Sequence, residues 1–437
     1  MGLINHYDFF IYHIYSLSIV NAPFYNNYAN EEHKLDIFAR WIPHIKSMGC
    51  NTVLLSPVLI SKSHGYDITD YYRIDNRLGT NAEFRGLVNQ FHDNGVRVVL
   101  DSVFNHCGRD FVKFKELLKG RRENADWFSH VDFTRRSPLG DPFTYDNCSG
   151  YYDLVKLNLN NPQTREYLLN AARFWIDEFD IDGMRLDSAN VLDFGFMREL
   201  RIAVTDKKPD FWLMGEVVAG DYTQWVNPYT LNSVTGYMLY KALHSSHNNN
   251  NLFELANAVS RAIPQNGLPL YNFLDNHDQP RIASLVNNPL YLATLYTLLF
   301  TLPGIPSIYY GSEWELKGVK TNGSDTPLRP YIDIENSPPE TEITNLIRKL
   351  SEIRRNNKAL RYGAYKQIYI KYHAPYVFER YYENERILVA INIAGYEETL
   401  DLRRNASSLI DLLYPGQAAE PGYIQVKPYS MRLLKVE

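Results

Sequence analysis

Over roughly the first 355 residues, short apolar runs alternate with longer segments of helical periodicity, the order of βα units around a parallel sheet. Eight runs read as strands, at 9–15, 51–56, 96–102, 181–187, 211–216, 233–237, 270–274 and 305–309, the sixth with the weakest pattern. The segments between them carry helix signals. In 161–179, Asn161 can cap, Pro162 takes the first helical position, and Tyr167, Ala171, Phe174, Trp175 and Phe179 form one apolar stripe. In 341–355 the stripe is Ile343, Leu346, Ile347, Leu350 and Ile353, with acids at the start and bases at the end. Eight such repeats predict an α/β fold, a (β/α)₈ TIM barrel.

One connection is too long for that fold, because strand three ends near Ser102 and the next helix begins only at Asn161. Ordinary connections take about 2 to 6 residues. Residues 107–153 mix turn formers with aromatics and read as a small lobe inserted above the C-terminal face of the barrel, where active sites form. After about residue 358 the period changes to two, in runs at 376–381, 386–393 and 422–436. The expected division is 1–106 and 154–357 for the barrel, 107–153 for the insert, and 358–437 for a separate β-rich domain. The asparagine run at 248–251 reads as a surface loop before a helix.

Charge narrows the partners. The chain of 437 residues has 45 Lys and Arg against 50 Asp and Glu, a net charge of −5, so nothing general attracts it to nucleic acid or an anionic membrane. Cys50, Cys107 and Cys148 leave an odd thiol under any pairing and have no zinc spacing, which favours a reducing compartment. The apolar stretch at 9–20 follows Asp8 rather than a basic segment and is too short to span a bilayer, so a cytoplasmic location is expected. Aromatic residues make up 14% of the chain, 33 of them Tyr, whose flat face and hydroxyl suit contact with sugar rings as well as core packing.

The strand ends are rich in acids. Strand three runs into Asp101-Ser-Val-Phe-Asn105-His106, strand four into Gly183-Met-Arg185-Leu-Asp187, strand five into Gly215-Glu216, and strand seven into Asp275-Asn276-His277-Asp278. A single such acid can simply cap a helix. On strand four, side chains two apart share a face, so Arg185 and Asp187 point the same way, and the guanidinium should keep Asp187 ionised as a carboxylate nucleophile requires. Glu216 follows an almost wholly apolar strand that should desolvate its carboxyl and raise its pKa, the property of a general acid. Two carboxyls with separated pKa values make the nucleophile and acid of a retaining glycosidase.

These motifs, in this order, resemble the α-amylase family, glycoside hydrolase family 13. Residues 101–106 are similar to its D-x-x-x-N-H region, 183–187 to its G-x-R-x-D region, Glu216 to its acid region and 273–278 to its final H-D region. Gly65-Tyr66-Asp67, Val155-Lys156-Leu157-Asn158, and Gly311 with Asp325 and Arg329 add to the match, which implies that the insert at 107–153 is a small domain B after strand 3 and that 358–437 is a C-terminal antiparallel β-sandwich domain. The resemblance implies that Asp187 is the nucleophile, Glu216 the acid/base and Asp278 the third catalytic carboxylate. It also implies that His106 and His277 donate to sugar hydroxyls, Tyr66 stacks on the same ring, Arg185 orients Asp187, and Asp325 and Arg329 grip the next sugar.

Ala189-Asn190 and Lys156-Leu157-Asn158 look most like the neopullulanase and cyclomaltodextrinase branch, whose N-terminal β-domain is not expected here because the first strand begins near residue 9. No cofactor is required by this reading, and no metal ligands are assigned. Ser188-Ala189-Asn190-Val191 stands where many calcium-dependent α-amylases carry Lys-His, and Asn105 with Asp153 supply two oxygen donors where calcium takes about six to eight. The 12 histidines show no metal-ligand spacing. The expected activity is retaining hydrolysis of α-glucosidic bonds, mainly α-1,4, in linear or cyclic maltodextrins. Alternatives are an α-glucanotransferase with the same site and a non-catalytic glucan-binding homologue. Substrate length, α-1,4 against α-1,6 choice and oligomeric state stay open.

Overall fold

In the computed structural model, which describes residues 5–29, 31–262, 269–402, 408–415 and 422–437, the eight apolar runs form one parallel sheet. Its strands are β1 (Ile11–Ile14), β2 (Thr52–Leu55), β3 (Arg97–Ser102), β4 (Gly183–Leu186), β5 (Trp212–Gly215), β6 (Ser233–Val234), β7 (Tyr271–Asn272) and β8 (Ile305–Tyr309). They pair in the order β7, β8, β1, β2, β3, β4, β5, β6, and a parallel bridge from Thr235 to Tyr271 joins the two outer strands. The expected barrel is therefore present. β6 is shorter than its apolar run because Gly236 already serves as N-cap of the helix Tyr237–Asn248.

Side chains alternate along each strand, and those that point inward change character from bottom to top. Low in the barrel, Ile11, Leu54, Val99, Trp212, Met214 and Ile305 form an apolar cluster. Two residues further along the same strands come His13, Ser56, Asp101, Glu216 and Ser307, with Arg185 two beyond Gly183. The floor is dry and the roof is polar. Gly183 is required at the join: a Cβ there would stand 2.7 Å from the Trp212 carbonyl oxygen and 3.3 Å from a Val99 methyl.

The outer helices follow the apolar stripes. Pro162–Phe179 starts at Asn161, whose side chain accepts from the Gln163 amide, and buries Ala171, Trp175 and Phe179, while Tyr167 and Phe174 are half-buried. Glu342–Asn356 starts at Thr341 and buries Ile343, Ile347, Leu350 and Ile353, with Leu346 half-buried at the margin. In the asparagine run, Asn248 still belongs to the helix Tyr237–Asn248, and the next helix starts at Leu252. Among the described residues, no helix is long and apolar enough to cross a membrane.

Between β3 and the helix Pro162–Phe179, a three-stranded antiparallel sheet carries the insert, with His106–Gly108 and Asn147–Cys148 flanking Tyr151–Lys156. The C-terminal part is a five-stranded antiparallel sheet facing a two-stranded one, with Val377, Leu388, Ala390, Leu400, Ile424, Val426 and Leu434 packed between them. The run at 422–436 is not one strand: Tyr423–Val426 and Ser430–Val436 lie in different sheets. Pro428 cannot donate to a ladder and Tyr429 takes a positive φ of 51°, so the chain turns there.

Two buried arginines hold this part to the barrel. Arg354 donates to the carbonyls of Phe300, Leu360 and Gly304 at 2.6–2.8 Å, and Arg380 donates to Thr301 and, at 2.8 Å, to Gly363. Phe300 and Thr301 end the helix Tyr291–Thr301, whose last carbonyls have no partner within the helix, so the cations meet the negative end of its dipole.

Candidate active site

Register between strands builds the centre of the site. Asp101 on β3 is the register partner of Arg185 on β4, and the two side chains meet across the barrel mouth at 2.6 Å. The same guanidinium reaches Glu216 at 3.1 Å and Asp187 at 3.5 Å. Asp187 thus receives the weakest of the three contacts. Sequence spacing puts Arg185 and Asp187 on one face, and the neighbouring strand and the longer Glu216 side chain bring closer acceptors.

Glu216 collects further donors. The Ser188 amide lies 3.1 Å from its Oε2 and the Tyr237 hydroxyl 3.2 Å from its Oε1. Asp187 accepts from the Ser188 hydroxyl at 3.0 Å. Burial pushes the Asp187 carboxyl well above its usual range, and the neighbouring Glu216 charge adds to this, outweighing Arg185. This corrects the expectation that the guanidinium holds Asp187 below the ordinary carboxyl range.

Asp278 lies across the mouth and behaves oppositely. Burial opposes its ionisation, but His277 at 2.9 Å and Arg329 at 2.9 Å outweigh it and hold the carboxyl well below the ordinary range. Arg329 also donates to the Tyr15 hydroxyl at 3.1 Å, to the His277 carbonyl at 2.9 Å and to Asp325 at 3.1 Å. Lys320 pairs with the other oxygen of Asp325 at 2.8 Å.

Tyr66 is 8% exposed. Its ring lies parallel to that of His277, 5.5 Å between centroids, and its hydroxyl donates to Asp101 at 2.8 Å. The Gly65-Tyr66-Asp67 tip brings Tyr66 down from its hairpin into the charge cluster. His106 is 2% exposed, and burial lowers its pKa to about 4, so it is neutral at pH 7. Among the described residues, its Nε2 and the Nδ1 of His277 are buried without a hydrogen-bond partner, so both can bond to a ligand.

All nine of the named residues, Asp187, Glu216, Asp278, Tyr66, His106, Arg185, His277, Asp325 and Arg329, thus lie at the C-terminal end of the barrel. Several neighbours have no counterpart in the sequence reading. Tyr15 continues the inward face of β1 two residues past His13, and Tyr237 closes the run of β6; alternation places both. Ser188 is placed by a left-handed turn, φ 51°, that no spacing announces. Cys148 belongs to an insert strand, and burial and then the Asp187 charge raise its pKa. Beside Glu216 a cavity of about 520 Å³ is lined by Val218, Ala219, Tyr237, Met238, Tyr240 and Lys320.

The donors for a calcium ion do not converge. Asn105 lies opposite Leu157, four residues along the strand from Asp153, which is exposed. At about 3.4 Å per residue the two stand well apart. Among the described residues, no three His, Cys, Asp or Glu side chains form a group that could hold a metal.

The alpha amylase catalytic domain model matches residues 22–336. A cyclomaltodextrinase of Thermoanaerobacter pseudethanolicus is 32% identical over 410 residues, 90% of this chain and 69% of that protein. An intracellular maltogenic amylase of Bacillus subtilis is 31% identical over 334 residues, 73% of this chain and 54% of that protein. Among solved structures, the ligand-free cyclic α-maltosyl-(1→6)-maltose hydrolase of Arthrobacter globiformis superposes with a TM-score of 0.85 at 25% identity, covering 99% of each chain. This chain belongs to the alpha-amylase family of glycoside hydrolases, in the branch that holds the cyclomaltodextrinases, neopullulanases and maltogenic amylases.

Proposed function

We propose that the protein hydrolyses α-glucosidic bonds, mainly α-1,4, of linear or cyclic maltodextrins with retention of configuration. One observation carries this reading: Asp187 and Glu216 lean on a single guanidinium, with the ionised Asp278 across the mouth. In the first step the Glu216 proton passes to the glycosidic oxygen as that bond breaks, and an Asp187 oxygen bonds to the anomeric carbon. In the second, Glu216 takes a proton from water, the water oxygen replaces Asp187, and the starting protonation returns. The chemistry uses the form of the pair with its proton on Glu216. A bound sugar supplies hydroxyls that donate to Asp187 and a glycosidic oxygen that accepts from Glu216. Asp278 accepts from hydroxyls of the distorted ring, and the free nitrogens of His106 and His277 bond to the same ring.

Support for the substrate class comes from the relatives, which are named for cyclomaltodextrins and maltose-forming amylases. The mildly acidic chain suits a neutral substrate, and the odd cysteine count together with the intracellular relative supports a cytoplasmic site of action. A second reading, transfer to a sugar hydroxyl instead of water, is favoured by the apolar lining of the cavity beside Glu216. Incubation with maltoheptaose, β-cyclodextrin, pullulan and isomaltose, followed by NMR of the fresh products, tests both. Hydrolysis gives α-anomers shorter than the substrate, and transfer gives longer chains as well. No cleavage of any α-glucan, or β-anomers at first release, overturns the reading.

A further inference from the structure

Phe24 and Tyr25, on the loop after β1, are 55% and 69% exposed. Their rings meet at 89° with centroids 4.9 Å apart, an open aromatic corner. The loop beneath is held by buried polar groups. Arg77 donates to the Pro23 and Phe24 carbonyls at 3.0 and 2.9 Å and pairs with Asp75 at 2.7 Å, the two side chains being 3% and 1% exposed. Asn26, itself buried, donates from its amide to the Lys62 carbonyl at 2.8 Å and from its side chain to Ser61 and Asn76 at 3.1 and 2.7 Å. A buried ion pair with satisfied hydrogen bonds fixes geometry more than it adds stability. Here it fixes two large rings in water, where hydrophobicity alone would fold them inward.

The corner is continuous with the site. Ser61 and Lys62, which anchor the loop, lie on the hairpin whose tip carries Tyr66, and the Lys62 amide donates to the Asp67 carbonyl at 3.3 Å. Lys62 and Tyr66 are four steps apart along the chain, which spans at most about 14 Å. On the same side, Tyr15 donates to the His64 carbonyl at 2.6 Å and accepts from Arg329. Tyr28 closes the outer edge, bonded to Asp110 at 3.1 Å with Lys62 over its ring at 5.2 Å.

We propose that Phe24 and Tyr25 form a platform for the sugar rings of a maltodextrin chain that runs out of the catalytic mouth past Arg329. The inference rests on the α-glucan reading above and extends it to chain length. An α-1,4 chain curves, so successive rings present their faces at an angle, and two aromatic faces at 89° can take neighbouring rings. Because the platform stands beyond the mouth, short oligosaccharides do not reach it.

The test is the double variant Phe24→Ala/Tyr25→Ala, assayed on maltoheptaose and maltotriose. The ratio of kcat/KM on maltoheptaose to that on maltotriose falls about tenfold, through KM. Phe24→Tyr, which keeps both faces, retains the wild-type ratio. In parallel, calorimetric titration of maltoheptaose into Asp187→Asn with and without the two alanines shows about tenfold weaker binding without the rings. This arm needs no turnover: if no α-glucan is cleaved but binding weakens in this way, the hydrolase reading fails and the platform stands. If α-glucans are cleaved while neither the ratio nor the affinity moves, the platform is overturned. It is equally overturned if sedimentation shows a dimer that the two alanines dissociate, because the rings then meet a second copy of the chain.

Discussion

Asp187 sits where burial and the Glu216 charge both disfavour its ionised form, and this gives the Asp187→Asn variant a definite sign. A carboxyl whose folded-state pKa exceeds its unfolded value holds its proton longer in the fold. Stability is therefore lost as pH rises from the unfolded value through the folded one. An asparagine carries no such loss and still accepts from Ser188. Asp187→Asn is expected to lower kcat about 10³-fold or more while raising Tm at pH 7, with the gain shrinking toward pH 4. Calorimetric scans of both proteins at the two pH values check it; a lower Tm for the variant at pH 7 would show that the Asp187 anion stabilises the fold. At this scale the sequence was informative about identity and less so about partners. That Arg185 and Asp187 share a face follows from a spacing of two. That Arg185 prefers Asp101 and Glu216 depends on the register between three strands that are distant in sequence.

Elements were legible where one period dominates. The helices Pro162–Phe179 and Glu342–Asn356 follow from their caps and stripes, and the eight strands follow from apolar runs. The ends of β6 and β7 did not, because two-residue strands carry too few positions for alternation to show. The packing of elements was also hidden, and His247 is an instance. It lies fully buried between the helices Tyr237–Asn248 and Tyr291–Thr301, its Nδ1 on the Leu243 carbonyl at 2.7 Å and its Nε2 on the Thr294 hydroxyl at 3.0 Å. Burial lowers its pKa from 6.5 to about 4. The unfolded chain takes up a proton in that interval and the folded one does not, so stability is complete above pH 6.5 and is lost as pH falls toward 4. At about 1.4 kcal/mol per pKa unit, wild type should lose roughly 2 kcal/mol more than His247→Gln between pH 7 and pH 4.5. Urea unfolding at the two pH values measures this directly. His6 and His106, also lowered to about 4, act equally in both proteins and cancel. Parallel losses in the two proteins would mean that the ring is protonated in place.

For the whole molecule, the contact between barrel and C-terminal sheets depends on two buried arginines that, among the described residues, make no ion pair. Burial lowers the Arg354 pKa to about 9 and holds that of Arg380 well below its usual value, and each charge also disfavours the other or a neighbouring cation. They stay because carbonyls at the end of Tyr291–Thr301, with those of Gly304, Leu360 and Gly363, would otherwise be buried unpaired. Replacing either by methionine leaves such carbonyls empty, at about 1–3 kcal/mol each, so Arg354→Met and Arg380→Met should each destabilise by about 2–4 kcal/mol. The two bind different carbonyls, so their losses of hydrogen bonding add. Their repulsion does not, because either single variant already relieves it and the double variant cannot relieve it again. The double variant should therefore be destabilised by more than the sum of the singles, the excess being the repulsion itself. Equilibrium urea unfolding of the four proteins supplies the cycle. A double variant that costs less than the sum would mean that the arginines support one another through a shared network rather than through separate carbonyls.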